Sequence, residues 1–263
     1  MKPVSFIKIF ILVMLLSASI RVNAQENFPE PEKMTPGMSS FWMPQPIVVT
    51  PGKVPYDKPV PAPSDAIVLF DGKDLSQWES LEGGEAKWTV AGGTFTVNKN
   101  LGNIRTKKTF RDFQLHIEWR APENVEGTSQ SRGNSGIFLQ GIYEIQVLSS
   151  YQNPTYNAGH AGSVYKQSPP LVNVTNPHGE WNVFDIIYTA PTFTKDGAYR
   201  TYPYVTIIHN GVVIQNNTRI IGTTANVGFP QVKEHGDGPI MLQAHGDKTT
   251  TNVSYRNIWI REL

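Results

Sequence analysis

The sequence predicts an all-β fold made of two packed antiparallel sheets. From residue 67 onward, apolar and polar residues alternate with a period of two, and turn-forming residues separate the apolar segments. No window of a dozen residues shows the 3.6-residue periodicity of an amphipathic helix. Many short strands over roughly 200 residues are enough to bury one core.

The first 24 residues are typical of an export signal. Lys2 and Lys8 flank the start, residues 9–20 are almost wholly apolar, and Val-Asn-Ala at positions 22–24 offers a cleavage site before Gln25. The apolar segment is short for a membrane-spanning helix, and we expect no membrane span after signal removal. We therefore expect export to the periplasm or the extracellular space, with an uncleaved N-terminal anchor as the alternative.

Charge and cysteine content exclude several classes of function. Removal of residues 1–24 changes the formal net charge from +1 to −2, so no overall basic surface favours nucleic acid or anionic lipid. The chain has no cysteine, which excludes disulfides, thiolate metal sites and a cysteine nucleophile. The core alone must then stabilise the fold.

Residues 25–65 contain ten prolines and show neither helical nor strand periodicity. Proline fixes φ and removes backbone donors, which favours extended, solvated chain. We interpret this segment as a linker or a wrapping arm between the signal (residues 1–24) and one domain (residues 66–263). Four large apolar residues could dock it onto the domain: Phe41, Trp42, Ile47 and Val48.

Two segments predict hairpins in the main domain. The first runs from Trp88 to Val97 around Gly92-Gly93, and the second runs from Val205 to Gln215 around Asn210-Gly211. Asn-Gly tolerates the positive φ of a tight turn. Further strands are predicted over residues 113–120, 133–156 (as a hairpin), 184–188 and 258–260. Long connections at 121–133, 152–170, 190–203 and 222–239 are expected to wall a cleft.

Three strand segments present polar side chains on one face: His116, Glu118 and Arg120; Glu144 and Gln146; and Gln243 and His245. If these strands lie side by side, they form a concave surface suited to polyhydroxylated ligands and to proton transfer. The alternative is that each group is structural. Glu118 and Arg120 would then be a solvated ion pair, and His245 a histidine beside a glycine turn.

Familiar catalytic motifs are missing. A retaining glycosidase needs two carboxyl groups roughly 5–5.5 Å apart, whereas the run Glu144, Gln146, Ser149 presents one. No phosphate-binding loop and no His-x-x-x-His pair occurs, so the cofactor stays unknown and a divalent metal has no support from spacing.

Nine segments in order resemble the exported 3-keto-disaccharide hydrolase family, also described as the 3-keto-glycoside 1,2-lyase and 3-keto-2-hydroxy-glucal hydratase domain. The resemblance implies a concanavalin A-like jelly-roll sandwich acting on a 3-keto-sugar or oligosaccharide. The segments are 68–78, 112–120, 133–139, 143–148, 169–173, 179–182, 209–217, 242–246 and 255–263.

The family chemistry explains the single carboxylate. A ketone at C3 acidifies the C2 proton, so one base can start elimination of the C1 substituent, after which water adds to the enone. The resemblance implies Glu144 as the base or its orienter and His245 in proton transfer. Arg120 and Glu118 would position the substrate or stabilise the enolate. Six further residues are candidates for substrate binding: Gln146, Gln243, Asn134, His116, Gln140 and Tyr165.

The sequence departs from the family pattern at three positions. Ser149 and Ala244 stand where relatives carry acids, and Ile142 stands where they carry arginine. A noncatalytic carbohydrate-binding module of the same fold is therefore the alternative function.

Overall fold

The computed structural model describes residues 40–52, 58–245 and 252–263. The predicted export signal and residues 25–39 lie outside this part of the chain. Within the described residues, no helix is long and apolar enough to cross a bilayer.

Strands and short turns make up the described chain. The strands, in order, are β1 (Ile47–Val48), β2 (Ile67–Phe70), β3 (Trp78–Ser80), β4 (Thr89–Ala91), β5 (Thr94–Thr96), β6 (Ile104–Thr106), β7 (Phe113–Arg120), β8 (Ser135–Leu139), β9 (Tyr143–Val147), β10 (Val172–Asn173), β11 (Asn182–Thr189), β12 (Thr192–Phe193), β13 (Tyr199–Thr201), β14 (Tyr204–His209), β15 (Val212–Arg219), β16 (Met241–Leu242) and β17 (Ser254–Glu262). Three 3-10 turns lie at Lys99–Leu101, Ser129–Ser131 and Asn157–Gly159.

Two antiparallel sheets carry the fold. The larger sheet has the order β15-β14-β11-β7-β17-β5-β4, with β2 also paired to β17, and the smaller sheet has the order β3-β6-β16-β8-β9. Two-stranded pairs join β12 to β13 and β1 to β10.

The core lies between the two sheets. The ring of Tyr143 in β9 lies 6.2 Å from that of Tyr188 in β11, and Tyr255 in β17 donates to Ser135 Oγ in β8 over 2.8 Å. Alternate residues of β7, such as Leu115 and Ile117, are fully buried. The period-two pattern therefore predicted the fold class correctly, and the chain is a jelly-roll β-sandwich of two antiparallel sheets.

The predicted hairpins are confirmed. β14 and β15 meet at Asn210 and Gly211, whose φ angles of 52° and 81° suit a tight primed turn. β8 and β9 meet at Gln140 and Gly141, with φ of 51° and 75°. This second hairpin positions the candidate site.

Residues 40–52, called the arm below, lie against the domain. β1 pairs with β10 in parallel, and Val49 N donates to Asn173 O over 2.9 Å. The side chains of Phe41, Ile47 and Val48 remain 50%, 73% and 76% exposed, so their burial does not attach the arm. Backbone pairing and the packing of Val49 against the core do.

Candidate functional site

A cavity of about 340 Å³ lies on the outer face of the smaller sheet. Its lining brings together six of the residues singled out from the sequence: Asn134, Glu144, Gln146, Tyr165, Gln243 and His245. Phe138, Thr224 and Asn226 complete the lining. The volume is in the range of small-molecule sites.

Strand alternation in β9 explains why the polar residues share this cavity. Tyr143, Ile145 and Val147 are fully buried in the core, so Glu144 and Gln146 point to the opposite face. The backbone N–H of Gln243 donates to the carbonyl of a β8 residue over 2.9 Å. This bond brings the segment after β16 beside the hairpin.

Gly136 provides the space that the Glu144 carboxyl occupies. A Cβ at this position would lie 2.5 Å from Glu144 Oε1, which is closer than any normal contact. Gly136 is paired with Gln146 across the hairpin, and Phe138 is paired with Glu144. The glycine therefore lets the carboxyl pack flat against β8.

Glu144 is only 4% exposed, and its burial raises the pKa of the carboxyl from 4.5 to about 8. The positive charge of Lys166 opposes this shift. The carboxyl is mostly protonated at neutral pH and becomes a stronger base than an ordinary glutamate once ionised. Such a group can take a proton from carbon or return one.

Three lining residues carry buried amide oxygens with no hydrogen-bond partner in the described part of the chain: Asn134 Oδ1, Gln146 Oε1 and Gln243 Oε1. A buried acceptor without a partner costs free energy. A hydroxyl donor from a ligand would remove that cost. The cavity therefore suits a ligand rich in hydroxyl groups.

The rim contains residues that the sequence did not single out. Lys166 Nζ donates to Asn226 O over 2.7 Å and to Asn226 Oδ1 over 3.1 Å, and it lies over the rings of Tyr156 and Tyr165. Thr224 Oγ1 accepts from Glu144 N over 2.8 Å. These residues belong to two of the long loops predicted to wall a cleft, but no periodic pattern marks them individually.

The expectation that His116, Glu118 and Arg120 share a surface with Glu144 is wrong. These residues lie in β7, which is a strand of the larger sheet, and they face outward on the other side of the sandwich. Periodicity gives the face of each strand but not the order of strands in a sheet.

Glu118 and His116 form a buried ionic cluster there. Glu118 accepts from Val60 N over 3.1 Å and from Asn257 Nδ2 over 2.7 Å, and it pairs with Arg256. Burial opposes ionisation, but these donors hold the pKa of Glu118 below its usual range. His116 Nδ1 lies 2.7 Å from an Asp185 oxygen, and despite its burial these carboxylates raise its pKa.

Arg120 does not pair with Glu118 in the described residues. Its guanidinium lies 4.6 Å from the ring centre of Trp181, and the guanidinium of Arg256 lies 4.2 Å from the same ring. The structure therefore contradicts two expectations from the sequence: that Glu118 and Arg120 lie together beside Glu144, and that they form a solvated ion pair with each other.

Gln140 is also placed away from the cavity. Its Oε1 accepts from the hydroxyl of Tyr188 over 2.8 Å, and its Nε2 donates to Phe110 O over 3.0 Å. Both ends of the amide are used inside the sandwich, so Gln140 fixes the hairpin turn to the larger sheet.

Within the described ranges, no group of three or more histidine, aspartate or glutamate side chains is arranged to hold a metal ion. His245 lies at the cavity and is exposed, next to the stretch 246–251 that the structure does not describe.

Fold and site together define a jelly-roll β-sandwich domain with a polar small-ligand cavity around one buried carboxyl. The chain belongs to the family of 3-keto-alpha-glucoside-1,2-lyase-like domains, whose model matches residues 65–261. The resemblance noted in the sequence is confirmed.

Two solved structures and one curated protein are similar to this chain. The chain is 64% identical to a Parabacteroides distasonis protein whose crystal structure is described as a "putative glycosyl hydrolase", with a TM-score of 0.78 over 86% of this chain and 95% of that one. A second structure from the same organism, 23% identical with a TM-score of 0.54, covers 75% of this chain and 94% of that one and shows the fold alone. The 3-keto-disaccharide hydrolase of Bacteroides thetaiotaomicron is 26% identical over 75% of this chain and 78% of its own length.

Proposed function

We propose that this protein cleaves 3-keto-glycosides by elimination and then hydrates the 3-keto-2-hydroxy-glucal that forms. The observation that carries this proposal is a single buried glutamate, Glu144, whose pKa is raised to about 8 within a polar cavity. The family of the chain and the name of its Bacteroides relative support the substrate class.

The ionised Glu144 carboxylate would remove the proton from C2 of the sugar. The electron pair forms an enolate with the C3 ketone, and its collapse forms the C1–C2 double bond and expels the C1 oxygen. His245 is our candidate for protonating the departing oxygen. Water then adds at C1, and a proton returns to C2.

The enolate oxygen needs hydrogen-bond donors. Arg120, the candidate from the sequence, lies on the other sheet, so neutral donors at the cavity replace it in this proposal. The hydroxyl of Tyr165 and the amide of Asn226 both line the cavity.

Double-displacement hydrolysis has less support. Among the described lining residues, Glu144 is the one carboxyl group. Ser149, which stands where relatives carry an acid, is buried, and its Oγ lies 2.9 Å from His178 Nδ1. A second carboxyl at nucleophile distance is therefore missing from this part of the chain.

A noncatalytic sugar-binding role is the second candidate. It is favoured by the neutral residues at positions 149 and 244, and the unpartnered amide oxygens would serve binding equally well. Both candidates use the same cavity, so only turnover separates them.

The test offers purified protein a 3-keto glucoside with a chromogenic leaving group beside the unoxidised glucoside. Release from the 3-keto compound alone supports elimination. Release from the unoxidised glucoside alone would show ordinary hydrolysis. Release from neither, with binding retained, would identify a binding module.

We also propose that the protein is exported, on the grounds of the apolar, lysine-flanked residues 1–24. Mass spectrometry of material from the expressing cells should find an N-terminus at Gln25. Retention of Met1 in exported material would contradict the predicted cleavage.

A further inference from the structure

The arm reaches the polypeptide that supports the cavity. Gln45 Nε2 donates to the carbonyl of Thr155 over 2.8 Å, and Gln45 Oε1 lies 2.9 Å from His160 Nε2. Because an amide oxygen only accepts, His160 donates from Nε2, and its burial lowers its pKa to about 4 and keeps it neutral. The N–H of Asn157 donates to Phe41 O over 2.9 Å. The arm thus fixes residues 155–160 from outside.

Residues 155–160 in turn fix the side chain of Gln130. Gln130 Nε2 donates to Thr155 Oγ1 over 2.8 Å and to the carbonyl of Gly159 over 3.1 Å. Since a carbonyl only accepts, the nitrogen of the Gln130 amide must face this segment. Its oxygen must face the opposite way, toward the cavity residues.

Gln130 sets the orientation of two cavity amides. Its Oε1 accepts from Gln146 Nε2 over 2.7 Å, and its backbone carbonyl accepts from Asn134 Nδ2 over 2.7 Å. Both amide nitrogens are thus hydrogen-bonded, whereas the amide oxygens, Gln146 Oε1 and Asn134 Oδ1, are buried without a partner in the described chain. A rotation of the Gln130 side chain would release the Gln146 amide, whereas Asn134 is bound by the main-chain carbonyl of Gln130 and would keep this partner.

We propose that the arm is a functional part of the sugar site, because it orients the cavity amide of Gln146 through Gln45, Thr155 and Gln130. Gln45 and Gln130 are positioning residues in this proposal. The choice of a hydroxyl-rich sugar as the ligand rests on the function proposed above. The arm precedes residues 65–261, so this support is an addition to the part of the chain that the family model matches.

The experiment replaces Gln45 by alanine in the full chain. Its matched control is Ile47→Ala, which truncates an exposed side chain of the same arm. We measure the side-chain carboxamide NMR signals of Gln146 and Asn134, and separately KM and kcat on a 3-keto glucoside. Gln45→Ala should shift the Gln146 carboxamide signal more than that of Asn134, whose partner is a main-chain carbonyl. It should also raise KM about tenfold with little change in kcat, since it loosens ground-state contacts. Ile47→Ala should change neither.

A second variant, Gln45→Glu, keeps an acceptor for His160 and loses the donor to Thr155. It should reproduce the effects of Gln45→Ala, because the link to Gln130 runs through Thr155. Combining Gln45→Ala with Gln130→Ala should raise KM by less than the product of the two single effects.

An unchanged Gln146 carboxamide signal in Gln45→Ala would overturn the inference, whatever the kinetics. Equal KM changes in Gln45→Ala and Ile47→Ala would also overturn it, since they would reflect general loosening of the arm. If the Gln146 carboxamide signal shifts but the wild type releases nothing from a 3-keto glucoside, the inference stands and the proposed function fails.

Discussion

Glu144 and Glu118 are both buried glutamates in the middle of strands, yet their protonation is driven in opposite directions. Burial raises the pKa of Glu144 to about 8, whereas hydrogen bonds from His116, Asn257 and Arg256 outweigh burial and lower that of Glu118. Glu144 has no comparable set of donors among the described residues. The number of donors, not the depth of burial, decides which carboxyl is ionised.

The difference distinguishes a carboxyl at the candidate functional site from a carboxyl with a structural role. The Glu118 carboxylate is satisfied by its own chain and binds the segment around Val60 to the larger sheet. The carboxyl of Glu144 lies on the smaller sheet beside a cavity, and its poor solvation raises the free energy of the ionised form. Strongly shifted carboxyls in clefts are candidates for proton transfer.

The largest expected effect is on turnover. Glu144→Gln removes the base while preserving side-chain shape, and it should slow aglycone release from a 3-keto glucoside by ~10²–10⁴-fold. The matched control is Glu79→Gln, since Glu79 pairs with Arg105 on the same sheet and lies partly exposed. Full turnover in Glu144→Gln would show that the cavity is not the catalytic site.

The next effect is on stability. Glu118→Ala leaves His116 and Arg256 without their shared partner and should lower the free energy of unfolding by about 3 kcal/mol. Urea unfolding followed by circular dichroism measures this loss, while turnover per folded molecule should be nearly unchanged. Loss of turnover without loss of stability would instead show that the cluster around Glu118 and His116 takes part in catalysis.

The two carboxyls also predict opposite dependences on pH. Turnover that needs ionised Glu144 should fall about tenfold for each pH unit below 8. Between pH 4.5 and 8 the folded state holds a proton on Glu144 that the unfolded state releases, so this group lowers stability as pH rises. Glu118 acts in the other sense, and its contribution is lost as pH falls below 4.5 toward its lowered pKa.

Thermal unfolding of wild type and Glu144→Gln across this range tests the assignment. The melting temperature of the variant should exceed that of the wild type by a margin that grows from pH 5 to pH 8. A constant margin would mean that Glu144 does not titrate in this window.

A smaller effect is expected from Gly136→Ala. The added methyl would lie 2.5 Å from Glu144 Oε1, where ordinary contacts begin near 3.4 Å, so it would push the Glu144 carboxyl off β8 by close to 1 Å. The carboxyl can give way because it is the end of a flexible side chain. We expect kcat/KM to fall severalfold to tenfold with a modest loss of stability. Gly236→Ala, where a Cβ would meet nothing within 4 Å, is the control. Equal kinetics in both variants would show that this packing is unimportant.

Sequence reasoning predicted the faces of strands but not their neighbours. Alternation placed Glu144 with Gln146 and Glu118 with His116 correctly, because that pattern is local. It could not show that β7 lies between β11 and β17, far from β9 in the sandwich. Strand order depends on long-range pairing, which short-range periodicity does not encode.

The loop residues show the same limit. Lys166 and Asn226 meet over 2.7 Å although sixty positions separate them in sequence. Their loops were expected to wall a cleft, yet no residue type or spacing marked this contact. Gln140 was a candidate for substrate binding, and only its hydrogen bond with Tyr188 shows its structural use.

The two guanidinium groups over Trp181 have a spectroscopic consequence. All six tryptophans lie in the described ranges, and none lines the cavity. Trp181 contacts the guanidinium groups of Arg120 and Arg256, and Arg256 pairs with Glu118, so its fluorescence should report on the cluster around Glu118. Tryptophan emission should therefore change when this protein unfolds. It should change little when a sugar binds in the cavity, where the nearby fluorophore is Tyr165.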